Sequence, residues 1–213
     1  MDGGQVMIKS VNRHIPINSP MGGKSSYAST KARFEQILKQ NLKIDTGHKG
    51  KNLGGTLTGI SSVVNTYDAV EDLRASSGDS VNLINEALKD TPMQGLGQAF
   101  KNAELKYGVN AVVLVGIGIH ESAYGKSSIA KNKNNLFGFM AYDDSPFKSS
   151  KTYGSMVESI EDVAKLLSEK YLSENGKYYE GKTLDDVGKH YATDPSWSEK
   201  VKKTILKINN TQV

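Results

Sequence analysis

From Ala111 to Ile119 the chain reads Ala-Val-Val-Leu-Val-Gly-Ile-Gly-Ile, apolar at every position. A helix made from such a run has no polar face, so other elements must enclose it on all sides. The stretch falls well short of the roughly 18 to 20 residues that span a bilayer, so the enclosure has to be protein. Asn110 stands where an N-cap is needed, and Gly116 and Gly118 weaken the helix locally while letting neighbouring backbones approach. Polarity returns only at the end, in His120-Glu121-Ser122. Val113, Ile117 and Glu121 share one face, so a carboxyl group closes an otherwise apolar stripe. Burial there disfavours the charged form and raises the pKa, giving an acid able to donate a proton near neutral pH. Periodicity alone leaves a second reading open, a helix-end glutamate that simply reaches solvent.

The enclosing helices are written on both sides of the run. Ser80 is placed to cap a helix carrying Val81, Ile84, Ala87 and Leu88. Leu96, Ala99, Phe100, Ala103 and Tyr107 recur at spacings of three and four, and Gly108 supplies a stop. After the run, the spacing predicts a helix over Met156–Leu172, with Val157, Ile160, Val163, Ala164, Leu167 and Tyr171 facing inward. Ser155 and Glu158 form a capping-box pattern at its start. Thr183 and Asp186 repeat the pattern ahead of Leu184, Val187 and Tyr191. Asp194-Pro195 reads as an N-cap and first-turn proline for a last helix bearing Trp197, Val201, Ile205 and Ile208. No run of alternating strands and no internal repeat is present, so residues 80–213 are expected to form an all-α domain that folds unaided.

Residues 1–79 have a different texture. Ser29–Lys43 predicts one amphipathic helix, with Phe34, Ile37, Leu38 and Leu42 on a face, and Ile60–Leu73 predicts another through Val63, Val64, Tyr67 and Val70. Between them Gly47, Gly50, Gly54, Gly55 and Gly59 mark a flexible connector. Two short helices on such a tether bury little, so this segment reads as a docking or linker segment. The net charge of +4 suits an anionic partner. Lys and Arg are dispersed and not interleaved with aromatics, so no nucleic-acid partner is expected. The chain has no cysteine, which excludes disulfides and thiolate metal sites. Met1–Pro20 holds no apolar run that could serve as a signal-peptide core, and no transmembrane segment is expected.

Three ordered motifs add to this grammar. The buried run ends in Glu121-Ser122-Ala123-Tyr124-Gly125-Lys126-Ser127. Asn135-Leu136-Phe137-Gly138 follows, trailed by Ala141-Tyr142-Asp143, and the third motif is Tyr191-Ala192-Thr193-Asp194-Pro195-Ser196-Trp197. Together they resemble the glucosaminidase family of bacterial cell-wall hydrolases, glycoside hydrolase family 73, from about Asn82 to Ile208. The resemblance implies a lysozyme-like helical fold with a sugar-binding groove. It also implies hydrolysis of the β-1,4 bond between N-acetylglucosamine and N-acetylmuramic acid in peptidoglycan, with Glu121 as general acid. Tyr191 matches the family's active-site tyrosine, which would position substrate or its N-acetyl group. Tyr124, Asn135, Phe137, Phe139, Tyr142 and Asp194 are the candidate substrate-binding residues, with core packing the competing reading for Phe137, Phe139 and Tyr142.

The second catalytic group stays open. An inverting glycosidase needs a base roughly 6.5 to 9.5 Å from the acid, and a retaining one a nucleophile at roughly 5 to 5.5 Å. Asp143 and Asp144 are the acidic residues in the short turn after Gly138. The substrate's own N-acetyl group is the alternative, and would need no second carboxylate. His120 points about 100° away from Glu121 on the helix and reads as a packing or surface residue. No metal-ligand spacing or phosphate loop appears, so no cofactor and no metal are expected. Competing functions are a muramidase or lytic transglycosylase of the same fold, and a catalytically silent wall-binding or assembly protein. Work at the bacterial cell wall, outside the cytoplasm, follows from the resemblance, with residues 1–79 a candidate anchor to a secretion, flagellar or phage-tail structure.

Overall fold

The central helix begins as its sequence dictates. The Asn110 side chain accepts hydrogen bonds from the backbone N–H groups of Val112 and Val113, at 3.0 and 3.1 Å. The structure, a computed structural model, describes residues 69–78, 80–141 and 145–209. The expected helix Ser29–Lys43, most of Ile60–Leu73, the glycine connector, and Tyr142, Asp143 and Asp144 lie outside the described residues. Within them the elements are α1 (Val81–Ala87), α2 (Gly97–Tyr107), α3 (Ala111–Ser122), α4 (Ser128–Lys133), α5 (Pro146–Ser149), α6 (Met156–Leu166), α7 (Leu184–Tyr191) and α8 (Trp197–Asn209). Among the described residues there is no strand, and the all-α expectation holds. No described helix is long and apolar enough to cross a membrane.

Every residue of α3 from Ala111 to Ile119 is buried. Its largest contact is with α8, and α2 packs on it from another side while α6 lies against α2. Gly116 makes the first contact possible, because a Cβ there would sit 2.5 Å from Cγ1 of Ile205. At Gly118 a Cβ would meet Met93 and Phe137 at ordinary distances, so close approach does not demand glycine there. Gly108 ends α2 in the left-handed region at φ 68°, as expected of a C-terminal stop.

Some signals resolve differently. Thr183 and Asp186 form the reciprocal capping box, but in the Ser155 pair the box is half made. Ser155 accepts from the Glu158 N–H, whereas the Glu158 carboxylate turns to the N–H of Gly154. Ser80 makes no capping bond; its hydroxyl shares a 2.8 Å hydrogen bond with Ser77. The helix expected over Met156–Leu172 ends as α-helix at Leu166 and continues as a wider π turn, Leu167–Leu172. The last helix begins at Trp197, with Asp194 accepting from the Ser196 N–H in the turn before it.

The expected domain boundary at residue 79 falls inside packed structure. Residues 69–71 are helical, and Ala69, Val70 and Leu73 belong to the same buried core as α3. Leu73 donates its N–H to Lys182 and accepts from the Asn110 N–H, while the Asn110 side-chain amide reaches the Ala75 carbonyl at 2.8 Å. The Glu104 carboxylate then gathers the Ser77 N–H, the Lys101 ammonium and the Ala111 N–H. The polar run 76–79 looks like linker in sequence, but its neighbours satisfy the backbone groups that open α3. Leu73→Ala should therefore cost about 2–5 kcal/mol, read as a lower urea midpoint at unchanged slope. A variant within 0.5 kcal/mol of wild type would put residues 69–78 outside the folding unit.

Candidate active site

Glu121 sits in the last turn of α3, which must stop abruptly for its carboxyl group to reach a neighbour. Ala123, Tyr124 and Gly125 all adopt positive φ, at 50°, 60° and 75°. For residues with a side chain this costs on the order of 1–3 kcal/mol each, so the surroundings must enforce it. Ser122 does much of that: its hydroxyl donates to the Gly118 carbonyl and accepts from the Gly125 N–H. The Ser127 N–H also returns to the Ser122 carbonyl at 2.9 Å.

The carboxyl group meets Trp197, the first residue of α8, whose indole N–H donates to Glu121 Oε1 at 2.7 Å. The indole is buried and lies against the Tyr191 ring, with centroids 4.9 Å apart at 34°. Tyr171 meets Tyr191 edge-on at 5.8 Å and continues to Tyr178 at 5.1 Å. The carboxyl group thus meets an indole backed by further rings, and no salt bridge reaches it among the described residues. Desolvation raises the Glu121 pKa from 4.5 to about 7, and the indole hydrogen bond, which favours the charged form, opposes part of that rise. Tyr191 is fully buried, and its hydroxyl has no hydrogen-bond partner among the described residues. Burial, then the nearby Glu121 charge, pushes its pKa well above the ordinary phenol range.

The other candidates fall into two groups. Tyr124 and Phe139 are half-buried and pack on the edge of the core, and Lys151 lies 5.8 Å from the centre of the Phe139 ring. Asn135, Phe137 and Asp194 are engaged within the protein. Asn135 is buried, donates to the carbonyls of Phe139 and Lys151, and accepts from the N–H groups of Phe137 and Phe139. Phe137 is fully buried beside Gly118, the core reading. For Asp194, burial raises the pKa, but hydrogen bonds from Lys200 and Ser196 outweigh it and bring it to about 2. Tyr142, Asp143 and Asp144 are outside the described residues, as stated. His120 is half-buried; burial first, and Lys200 second, lower its pKa. Among the described residues no group of His, Asp and Glu could hold a metal ion.

Sequence reasoning placed Trp197 in the core and missed its contact with Glu121. The signal was available: the chain has one tryptophan, and it closes the third motif. A buried indole needs an acceptor for its N–H.

Residues 97–210 match the family described as Glucosaminidase: Mannosyl-glycoprotein endo-beta-N-acetylglucosaminidase. A Streptococcus pneumoniae protein named as an endo-beta-N-acetylglucosaminidase is 36% identical over 122 residues, 57% of this chain and 18% of that protein. The bifunctional autolysin of Staphylococcus aureus is 29% identical over 144 residues, 56% of this chain and 12% of its own length. This chain therefore spans under a fifth of the curated relatives it matches. Among solved structures, S. aureus autolysin E superposes with TM-score 0.55 at 24% identity, covering 83% of this chain and 89% of that one. A catalytic Glu-to-Ala mutant of the same protein, solved with the disaccharide NAG-NAM, gives TM-score 0.54 at 22% identity, covering 83% and 90%. At those identities the superposition carries the fold.

The raised carboxyl pKa makes a prediction about stability. The folded state keeps the Glu121 proton up to about pH 7, whereas the unfolded chain releases it near 4.5. Between those values the native state binds more protons, so stability falls as pH rises. Glu121→Gln removes that loss. Its melting temperature should exceed that of wild type at about pH 8 and converge with it at about pH 4. A constant offset between the two melting curves at every pH would show that Glu121 titrates normally.

Proposed function

The chain belongs to the glucosaminidase family, and from that premise we propose that it is a peptidoglycan endo-β-N-acetylglucosaminidase acting at the bacterial cell wall. It cuts the β-1,4 bond between N-acetylglucosamine and N-acetylmuramic acid, with Glu121 as general acid. One observation carries the reading. A carboxyl group at the end of a buried helix accepts the Trp197 indole N–H, and desolvation there pushes its pKa up to about 7. Glycoside cleavage needs such an acid, because the leaving sugar oxygen must take a proton as its bond breaks. The disaccharide bound by the solved relative is the unit that this reading assigns as substrate.

Tyr191 is the second functional residue in this proposal. Its buried, unpartnered hydroxyl beside Glu121 is suited to donating a hydrogen bond to the substrate's N-acetyl group. Asp143 and Asp144 stay candidates for activating water. Substrate assistance by the N-acetyl oxygen is favoured over them, because the short turn after Gly138 leaves little backbone to hold a base at a defined distance.

Glu121→Gln should abolish clearing of purified cell walls, a loss of at least roughly 10² to 10⁴ in rate, while the fold persists. Near wild-type clearing would remove Glu121 from the mechanism. Mass spectrometry of the wild-type digest should find reducing-end N-acetylglucosamine; reducing N-acetylmuramic acid or 1,6-anhydro ends would move the assignment to a muramidase or a lytic transglycosylase.

The second catalytic group separates by three variants assayed on one glycan preparation. Under substrate assistance Asp143→Asn and Asp144→Asn keep most activity and Tyr191→Phe is the damaging change. A loss of roughly 10² to 10⁴ in either Asn variant, with Tyr191→Phe near normal, would assign the base to that aspartate.

A further inference from the structure

A protonated carboxyl group has two unlike oxygens, one holding the proton and one free to accept. An indole N–H can only donate, and a carbonyl oxygen is a better acceptor than a hydroxyl oxygen. The 2.7 Å contact from Trp197 therefore distinguishes the two oxygens of Glu121. Trp197 is itself held by two residues of α7. Its ring lies against Tyr191 of α7, and a Cβ on Gly188 of α7 would stand only 3.2 Å from its Cε3. The indole thus has little freedom to follow the carboxyl group if that group turns.

Resting on the reading of Glu121 as the acid, we propose that Trp197 is a positioning residue that reserves Oε1 as an acceptor and fixes the acidic proton on Oε2. A carboxylic acid free to rotate would present its proton in several directions, and only some would meet a leaving oxygen. Held by the indole, Oε2 is the donating oxygen in each cycle, and after proton transfer the same N–H stabilises the carboxylate left behind. That second effect fits the direction in which the hydrogen bond acts on the Glu121 pKa, opposing desolvation.

Few other groups can mimic this titration. Tyr191 of α7 stays neutral through the range, with Tyr171 and Tyr153 behind it. His120 of α3 is the neighbouring imidazole; burial first and Lys200 second lower its pKa, and Asp194 opposes them.

The chain's single tryptophan makes the contact directly observable. Tryptophan-selective fluorescence and the one indole N–H resonance both report on position 197 alone. In the full chain without substrate, both signals should titrate with a midpoint near 7. That titration should vanish in Glu121→Gln and persist in His120→Gln. A flat signal in wild type, or a titration that survives in Glu121→Gln, would overturn the coupling.

The catalytic arm uses Trp197→Phe, which keeps a ring but deletes the donor. It should lower kcat at least roughly tenfold with KM little changed, and shift the basic limb of the pH–rate profile upward by about one unit. A purely structural tryptophan would lower the melting temperature and leave that limb in place. That outcome, or wild-type kcat in the variant, would refute the proposal. Where the phenylalanine variant does not fold, the wild-type titration and its two control variants decide it. Because that titration needs no glycan, a protein that leaves peptidoglycan uncut but titrates as described loses the glucosaminidase reading and keeps the Trp197–Glu121 coupling.

Discussion

Enclosing α3 is the constraint on which everything else depends. A helix apolar from Ala111 to Ile119 has no face to give to water, so the surrounding helices are arranged to cover it. Its two ends are where backbone groups run out of partners, and each is met by nearby residues with remote ones added. At the start, Asn110 and Glu104 supply acceptors, with residues 73–77 completing their network. At the finish, α8 brings Trp197 to Glu121. The helix is therefore pinned at both ends. If Glu121 is the proposed acid, that rigidity is an advantage, since small misplacements of a reacting group are costly in rate.

The carboxyl group itself is a compromise between two opposed effects. Desolvation by the rings of Trp197 and Tyr191 resists ionisation, and one indole hydrogen bond favours it. With no cation in contact the first effect dominates, yet the second keeps the group from becoming an inert acid. Each pKa unit corresponds to about 1.4 kcal/mol of differential stabilisation, so a single hydrogen bond is enough to tune the result. The cost appears as lost stability at neutral and higher pH, a cost that functional sites commonly carry and the rest of the core must offset.

The fold was legible where the sequence signal is local. Asn110, Gly108 and the Thr183/Asp186 pair act within a turn of where they stand, and each does what its residue type implies. The signals failed where another partner, near or distant, displaced the expected one. Ser80 gave up a cap to bond Ser77, and Glu158 went one residue further back than its pattern suggests. Leu73 and Ala75 looked like the end of a linker because nothing nearby in sequence reveals their bonds to Lys182 and Asn110. Periodicity and motif together singled out Glu121 and Tyr191, and the structure puts the Trp197 indole against both. For Trp197, 76 positions from Glu121, the sequence showed the need for an acceptor but not which residue would supply it.

The motif residues divide by what their polar atoms have left to offer. Of the four hydrogen-bonding positions of the Asn135 side chain, three go to the loop that carries Phe137 and Phe139 and the fourth to the Lys151 carbonyl. Phe137 is buried in the core, and Asp194 is occupied by Ser196 and Lys200 in the turn that delivers Trp197. These residues shape the walls on which the chemistry stands. A side chain that spends its hydrogen bonds on architecture has none to spend on a ligand without breaking a bond worth about 1 kcal/mol or more. Tyr191 is the opposite case, with a buried hydroxyl still unpaired. An unsatisfied buried hydroxyl carries a desolvation cost of about 1–3 kcal/mol, and a bound substrate that supplied its partner would recover that cost at the moment of binding. The same motif thus holds both kinds of residue six positions apart, Tyr191 with a hydroxyl unpartnered among the described residues and Trp197 bonded to Glu121.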